Sequence, residues 1–173
     1  MNLIVTCSRH LEEEASGEMT KILSEFGDPM ARADHSRFSG LLMVTTSLDA
    51  FHTVAKIRAK ILDEPWSIRY CHRFIPVQES TRASISEIIA AVARHLELLQ
   101  PEDTYRITVE KRGSDLSTKD LVEAVADTIN NKVSLEGFDW NIVIEILGDI
   151  AGVSILRSGD IVSTMKVKRD SSD

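Results

Sequence analysis

The chain has 173 residues, of which 43% are hydrophobic and 27% are charged, and its formal net charge is −7. These values are typical of a folded globular protein, and the length accommodates two small domains. The longest apolar runs, such as Ile142 to Leu147, are far shorter than the roughly 20 residues that a membrane span requires. The N-terminus resembles a strand and has no basic leader, so we expect a cytoplasmic protein.

The first 75 residues predict the order strand, helix, strand, strand, helix, strand. Alternating or β-branched runs indicate the strands, and apolar residues spaced by three and four indicate the helices. The predicted ranges are 2–7, 8–26, 30–34, 41–46, 48–62 and 66–75. Ser8 is the predicted N-cap of the first helix. This order is typical of the ferredoxin-like arrangement, so we assign residues 1–75 to a ferredoxin-like N-terminal domain.

Residues 76–170 predict a second α/β domain with its own core, and residues 171–173 a short tail. After a polar connection, Ser84 and Glu87 form a capping box at the start of one helix, and Ser117 caps the next. Alternating apolar segments predict the remaining strands at 105–111, 140–147, 153–157 and 161–167. Helix, strand, helix and then strands are typical of an α/β sandwich. The predicted fold class is therefore α/β (α+β).

A series of short segments from residue 73 onward forms a recognisable pattern. In chain order they are Arg73–Val77, Ser80–Ala83, Tyr105–Arg112, the helix start at Ser117, Lys132–Leu135, Ile144–Ile146 and Ala151–Ser154. In order and spacing this series resembles the THUMP domain of the tRNA acetyltransferase adaptor family. The resemblance implies a ferredoxin-like N-terminal domain followed by a THUMP domain, which agrees with the element order above.

The resemblance also implies a function. Proteins of this family bind tRNA and present it to a separate modifying enzyme, a cytidine acetyltransferase that forms N4-acetylcytidine with acetyl-CoA and ATP. THUMP domains elsewhere are attached to methyltransferase, thiouridine synthase or pseudouridine synthase domains, and we expect none here because the chain ends with the THUMP-like portion. The sequence has no Gly-x-Gly-x-x-Gly motif and no Walker-type loop. We therefore expect an adaptor without a cofactor or catalytic residues.

Basic residues at predicted element ends and in loops are the candidate RNA contacts, because phosphate contacts supply affinity and fix position. They are Arg73, Arg82, Lys111, Arg112, Lys132, Arg157, Lys166, Lys168 and Arg169. The alternative for each is a solvated charge balanced by nearby acids, and the net charge of −7 argues against RNA in general. Lys111 and Arg112 end a polar strand, so we expect their replacement to leave folding almost unchanged.

Two other functions match weaker signals. Ser8, Arg9 and His10 follow the first strand and supply the Arg of an acylphosphatase-like hydrolase, but the anion-cradling loop is missing. The acidic balance would suit a module that binds only proteins. The five His are scattered, so we predict no metal site. For Cys7 and Cys71 we predict reduced, buried thiols, with a disulfide as the alternative.

Overall fold

The computed structural model describes residues 1–172. The chain divides into two compact units, one formed by residues 1–77 together with the chain from residue 159 onward, and the other by residues 78–158. Within the described residues there are two five-stranded sheets and five α-helices, so the predicted mixed α/β class is confirmed. None of these helices is long and apolar enough to span a membrane.

The first unit contains the six elements that the sequence predicts, in the predicted order. They are β1 (Leu3–Cys7), α1 (Glu12–Glu25), β2 (Arg32–His35), β3 (Leu41–Thr45), α2 (Ala50–Asp63) and β4 (Cys71–Pro76). The predicted cap at Ser8 is wrong, because His10 has a φ of 70° that a helix does not permit, and α1 begins only after Leu11. β4 also begins later than predicted, since Trp66 lies in a turn and is 71% exposed.

The second unit alternates strands with helices. It contains β5 (Glu79–Arg82), α3 (Ile85–Ala93), a short 3-10 turn (Leu96–Leu98), β6 (Thr104–Arg112), α4 (Thr118–Ala126), β7 (Lys132–Val133), β8 (Trp140–Leu147) and β9 (Ile150–Leu156). The hydroxyls of Ser84 and Ser117 accept hydrogen bonds from the backbone N–H three residues further on, which confirms both predicted caps. The reciprocal half of the capping box does not form, because the Ser84 N–H donates to the Arg82 carbonyl and the Glu87 carboxylate accepts from Thr81. The sequence predicts a polar connection where β5 lies, because the side chains of this strand are polar and lack the apolar alternation that indicates a strand.

The chain after residue 158 belongs to the first unit, so its assignment to the second domain up to residue 170 is wrong. It forms β10 (Val162–Ser163) and α5 (Thr164–Asp170), whereas the sequence predicts a single strand over 161–167. Val162 and Val167 are buried in the core of the first unit. The Ser163 hydroxyl accepts from the N–H of Lys166 and caps α5. Two residues of the predicted tail cap the C-terminus of this helix, because the hydroxyls of Ser171 and Ser172 donate to the Lys168 carbonyl. Residue 173 of the predicted tail lies outside the described residues.

Each unit has its own sheet and core. The first sheet has the order β10-β4-β1-β3-β2 and is antiparallel throughout, and residues of α1, α2 and α5 bury one of its faces. The second sheet has the order β5-β9-β8-β6-β7, with β6 parallel to both of its neighbours. Residues of α3 and α4 pack with Ile142, Ile144 and Ile146 of β8 to form the second core.

Candidate functional site

The predicted RNA contacts fall into three groups, one in the first unit and two at opposite ends of the second sheet. Four of them belong to the first unit: Arg73, Lys166, Lys168 and Arg169. Three lie at the end of the second sheet where β5 and β6 finish: Arg82, Lys111 and Arg112. Lys132 and Arg157 lie at the opposite end of that sheet.

Strand register places Arg82 and Arg112 in one row across the second sheet. Arg82 of β5 is opposite Ile150 of β9, Ile150 is opposite Leu147 of β8, and Leu147 is opposite Arg112 of β6. Residues that are opposite in register point to the same face of a sheet. Two arginines that are 30 residues apart in the sequence therefore lie at the same end and on the same face of the second unit.

An open depression lies beside Arg82. Its lining residues come from β5, from α3, from the turn between β8 and β9 and from the start of β9: Ser80, Thr81, Arg82, Glu87, Asp149 and Ile150. The backbone N–H of Ala83 donates to the Asp149 carbonyl at 2.9 Å, and the Thr81 hydroxyl donates to the Glu87 carboxylate at 3.3 Å. The depression thus brings together a guanidinium, hydroxyls and two carboxylates, and a backbone hydrogen bond joins the two segments that carry Arg82 and Asp149.

The Arg82 side chain is exposed, and within residues 1–172 it forms no ion pair. The other residues of the depression are not among the predicted contacts. Ser80 and Thr81 belong to the segment Ser80–Ala83 of the sequence pattern, but Glu87, Asp149 and Ile150 lie outside its segments. In the structure, Ser80–Arg82 pairs in register with Ile150–Gly152. Two of the segments on which the resemblance depends therefore meet at this depression.

Lys111 and Arg112 already have partners inside the second unit. The Lys111 ammonium donates to the Leu116 carbonyl at 2.6 Å. The Arg112 guanidinium lies 3.5 Å from the carboxylate of Glu145, which is only 3% exposed. The expectation that this pair supports nothing in the fold is therefore wrong for Arg112, because it neutralises a buried carboxylate that is 33 residues away in the sequence.

At the opposite end of the sheet, Arg157 stacks on an aromatic ring. Its guanidinium carbon is 4.0 Å from the centre of the Trp140 ring, and the Trp140 Nε1–H donates to Asp103 at 2.8 Å. The N–H of Gln100, followed by that of Trp140, lowers the pKa of Asp103. Lys132 is exposed on β7. One face of the Arg157 guanidinium is thus covered by the Trp140 ring, whereas the Lys132 side chain is exposed to solvent.

The cations of the first unit also divide into engaged and exposed residues. The Lys168 ammonium donates to the Ile68 carbonyl at 2.7 Å, and Arg169 pairs with its neighbour Asp170 at 3.4 Å. Arg73 on β4 and Lys166 on α5 are exposed. Arg73 and Lys166 are therefore the cations of this group that are most accessible to a ligand.

The loop after β1 does not provide the anion site of an acylphosphatase-like hydrolase. Ser8 Oγ lies 3.2 Å from His72 Nε2, but three carboxylates, at residues 12 to 14, occupy the first turn of α1. The N–H of Gly40 donates to Glu12 and is the main cause of the lowered pKa of this carboxylate. A negatively charged helix start repels a phosphate. Within residues 1–172 there is no group of three or more His, Cys, Asp and Glu that could hold a metal ion.

The two cysteines are opposite each other in the register of β1 and β4, and both are buried. Burial is the main cause that raises the pKa of both thiols, most strongly that of Cys71. A raised pKa suppresses the reactive thiolate, so the pair contributes packing rather than chemistry to the first unit.

Comparison with known proteins gives a domain match and a shared fold. Residues 81–156 match the family model of the THUMP domain. The chain is similar to PH1313 from Pyrococcus horikoshii (16% identity, TM-score 0.61, 92% of this chain and 56% of that chain). It is also similar to TrmN from Thermus thermophilus (11%, 0.55, 90% and 45%) and to a predicted N6-adenine-specific DNA methylase from Listeria monocytogenes (15%, 0.55, 89% and 39%).

At these sequence identities, the similarities to the three structures show a shared fold. The chain spans about half the length of these structures or less. No curated protein matches the chain.

Proposed function

We propose that this chain, which contains a THUMP domain over residues 81–156, is a cytoplasmic tRNA-binding adaptor that delivers tRNA to a separate modifying enzyme. The domain match supports RNA binding, because THUMP domains occur in proteins that modify tRNA. The series of segments from Arg73 to Ser154 supports the finer proposal that the partner is a cytidine acetyltransferase. In this arrangement the chain supplies the RNA-binding surface, and the partner supplies acetyl-CoA, ATP and the catalytic groups.

The depression beside Arg82 is the RNA contact that the geometry supports best. Arg82 is exposed without an ion pair among the described residues, so its planar guanidinium can donate two parallel hydrogen bonds to a phosphate. Arg112 lies in the same row of the sheet, but Glu145 balances its charge, so Arg82 is the cation of this row that is open to a phosphate. This accessible arginine within the THUMP match is the observation that carries the site proposal.

The carboxylates of the depression define a second contact. Asp149 and Glu87 accept hydrogen bonds and repel phosphates, so they suit neutral donors such as ribose hydroxyls. The 2′-hydroxyl is the group by which a protein distinguishes RNA from DNA. We therefore assign Arg82 to a phosphate and Asp149 to a ribose hydroxyl of the same bound segment.

Reconstitution tests the adaptor role. The full chain, a tRNA cytidine acetyltransferase, acetyl-CoA, ATP and tRNA are combined, and N4-acetylcytidine is measured by mass spectrometry. We expect product only when both proteins are present, less product with Arg82→Gln, and unchanged product with the matched control Lys119→Gln, which removes an exposed charge on α4. Acetylation at the same rate without the chain, or turnover by the chain alone, would contradict the adaptor proposal.

A competition with DNA tests the ribose contact. Asp149→Asn keeps the size of the side chain and removes the charge that favours a hydroxyl donor. We expect the variant to lose part of the preference for a single-stranded RNA over the DNA of the same sequence. An unchanged preference would remove Asp149 from the site and leave the Arg82 contact standing.

A further inference from the structure

The two sides of strand β6 are paired to very different extents. On one side β8 pairs with it from Tyr105 to Arg112. On the other side β7 pairs only with Thr104 and Tyr105. From residue 106 to the end of the strand, β6 therefore has a single neighbouring strand and forms an open edge of the second sheet.

Hydrogen bonds at the two ends of β6 show which backbone groups face this open side. The carbonyls of Thr104 and Arg112 accept from Asp139 and Gly148, the residues that flank β8. The Tyr105 carbonyl accepts instead from Ser134, which follows β7. Backbone groups of successive strand residues point to opposite sides, so the odd-numbered residues face away from β8. The N–H and C=O groups on the open side therefore belong to Ile107, Val109 and Lys111.

These three residues make a short binding edge. Ile107 and Val109 are half-buried and Lys111 is exposed. The edge is closed at one end by β7 and at the other by Gly113, where a φ of 61° turns the chain away. Unpaired N–H and C=O groups in a row form a template for a further strand, and strand addition of this kind is an established mode of peptide recognition.

The side chains beside the edge indicate what sequence the added strand has. Ile107, Val109 and Leu116 pack against the core that the helices cover. Thr108 and Glu110 point to the other face, because side chains alternate along a strand. A strand placed here has apolar side chains on the first face and polar ones on the second, with a basic side chain favoured beside Glu110. The complementary ligand is therefore an extended polypeptide of alternating apolar and polar residues.

A second copy of this chain fits the edge poorly. If two β6 strands pair antiparallel about Val109, Arg106 of each copy lies opposite Arg112 of the other, and like charges directly opposite are unfavourable. If they pair about Thr108, Lys111 of one copy occupies the place where Val133 already pairs with Tyr105. Both of these registers disfavour a second copy, so a different protein is taken as the occupant.

We propose that the open edge of β6 binds an extended segment of a partner protein, which adds a sixth strand to the second sheet. This inference depends on the backbone geometry of β6 and on the side chains beside its open edge, and it is independent of RNA binding. It supplies the chain with a protein-binding surface of its own, separate from the residues that line the depression beside Arg82.

The test uses the full chain and a synthetic peptide, acetyl-Thr-Val-Lys-Val-Thr-Val-Thr-amide, with amide exchange followed by NMR. In the free chain we expect fast exchange at Ile107 and Val109, and slow exchange at Thr108 and Glu110, whose N–H groups face β8. Adding the peptide should slow exchange at Ile107 and Val109 selectively. Equal protection of odd and even residues in the free chain would show that the edge is covered, and would overturn the proposal.

Two controls separate strand pairing from nonspecific contact. Two peptides of the same sequence are N-methylated on alternate residues, one in each of the two possible registers, so each loses the N–H donors on one side. The peptide that lacks the donors facing β6 should bind roughly tenfold more weakly than the parent peptide. In the protein, Val109→Pro removes an outward N–H and leaves the ladder to β8 in place, as edge strands allow, and should weaken binding similarly. Equal binding of both methylation registers and the parent peptide, or no binding at millimolar concentration, would contradict the proposal whatever the result for tRNA.

Discussion

Replacing Arg112 by Ala should destabilise the second unit far more than a surface substitution does. The guanidinium lies 3.5 Å from the carboxylate of Glu145, which is 3% exposed, whereas the Arg112 side chain is 37% exposed. Removing one partner of a fully buried pair costs roughly 3–5 kcal/mol. Water reaches Arg112 and screens part of this interaction, so we expect a loss of about 2 kcal/mol in the free energy of unfolding.

Urea unfolding followed by tryptophan fluorescence measures this loss. The chain has two tryptophans, one in each unit, so a Trp66→Phe background leaves Trp140 as the reporter of the second unit. In a Glu145→Gln background the same Arg112→Ala change should cost less than about 1 kcal/mol, because the charge that needs a partner is gone. Lys119→Ala, at an exposed i,i+4 pair, should cost under about 0.5 kcal/mol. If Arg112→Ala costs no more than Lys119→Ala, the pairing argument is refuted.

Three further predictions follow from contacts of the first unit. Ending the chain after residue 158 removes the buried Val162 and Val167 and should lower the free energy of unfolding by about 3 kcal/mol or more; urea unfolding followed by circular dichroism, with no loss observed, would contradict the domain assignment. The Glu18 carboxylate accepts hydrogen bonds from three backbone N–H groups, two just before β4 and one at its first residue. Glu18→Ala should therefore lower the free energy of unfolding in the same assay by roughly 1.5–3 kcal/mol, and Glu18→Gln by less. Equal losses for the two variants would argue against hydrogen bonding as the cause. Hydrogen bonds from the Thr46 hydroxyl and the Ser47 N–H lower the pKa of Asp28 below its ordinary 3.8. The stability that Asp28 supplies is therefore complete above about pH 4 and lost as the pH falls through the folded-state pKa, and Asp28→Asn should flatten the acid side of the stability profile, which an unchanged profile would contradict.

Local sequence patterns predict most elements of the fold because their signals are short in range. The caps at Ser84 and Ser117 and the strands at β1, β3, β6 and β8 depend on neighbouring residues alone. The return of the chain from residue 159 to the first unit depends on which core buries Val162, and no pattern within the segment encodes that choice. The sequence does not predict β5 for a related reason, since the strand character of this segment comes from its pairing with β9.

The candidate site is less accessible to sequence reasoning than the fold. The sequence identifies basic residues at element ends, but it does not show which of them already have partners. Arg112 pairs with Glu145 and Lys168 binds the Ile68 carbonyl, contacts that span 33 and 100 residues. Only the folded chain distinguishes these engaged cations from exposed ones such as Arg82. The convergence of β5 with the turn between β8 and β9 also emerges only from strand register.

Filter binding of tRNA at two salt concentrations tests the central claim, that the chain binds tRNA through the end of the second sheet that carries Arg82. The full chain should bind tRNA, with log affinity falling as log salt rises, and Arg82→Gln should reduce this slope by about 0.7–0.9, the value for one phosphate contact. Lys119→Gln removes the same charge from an exposed site on α4 and should leave the slope nearly unchanged. No measurable tRNA binding by the full chain, or equal slopes for the two variants, would contradict the account.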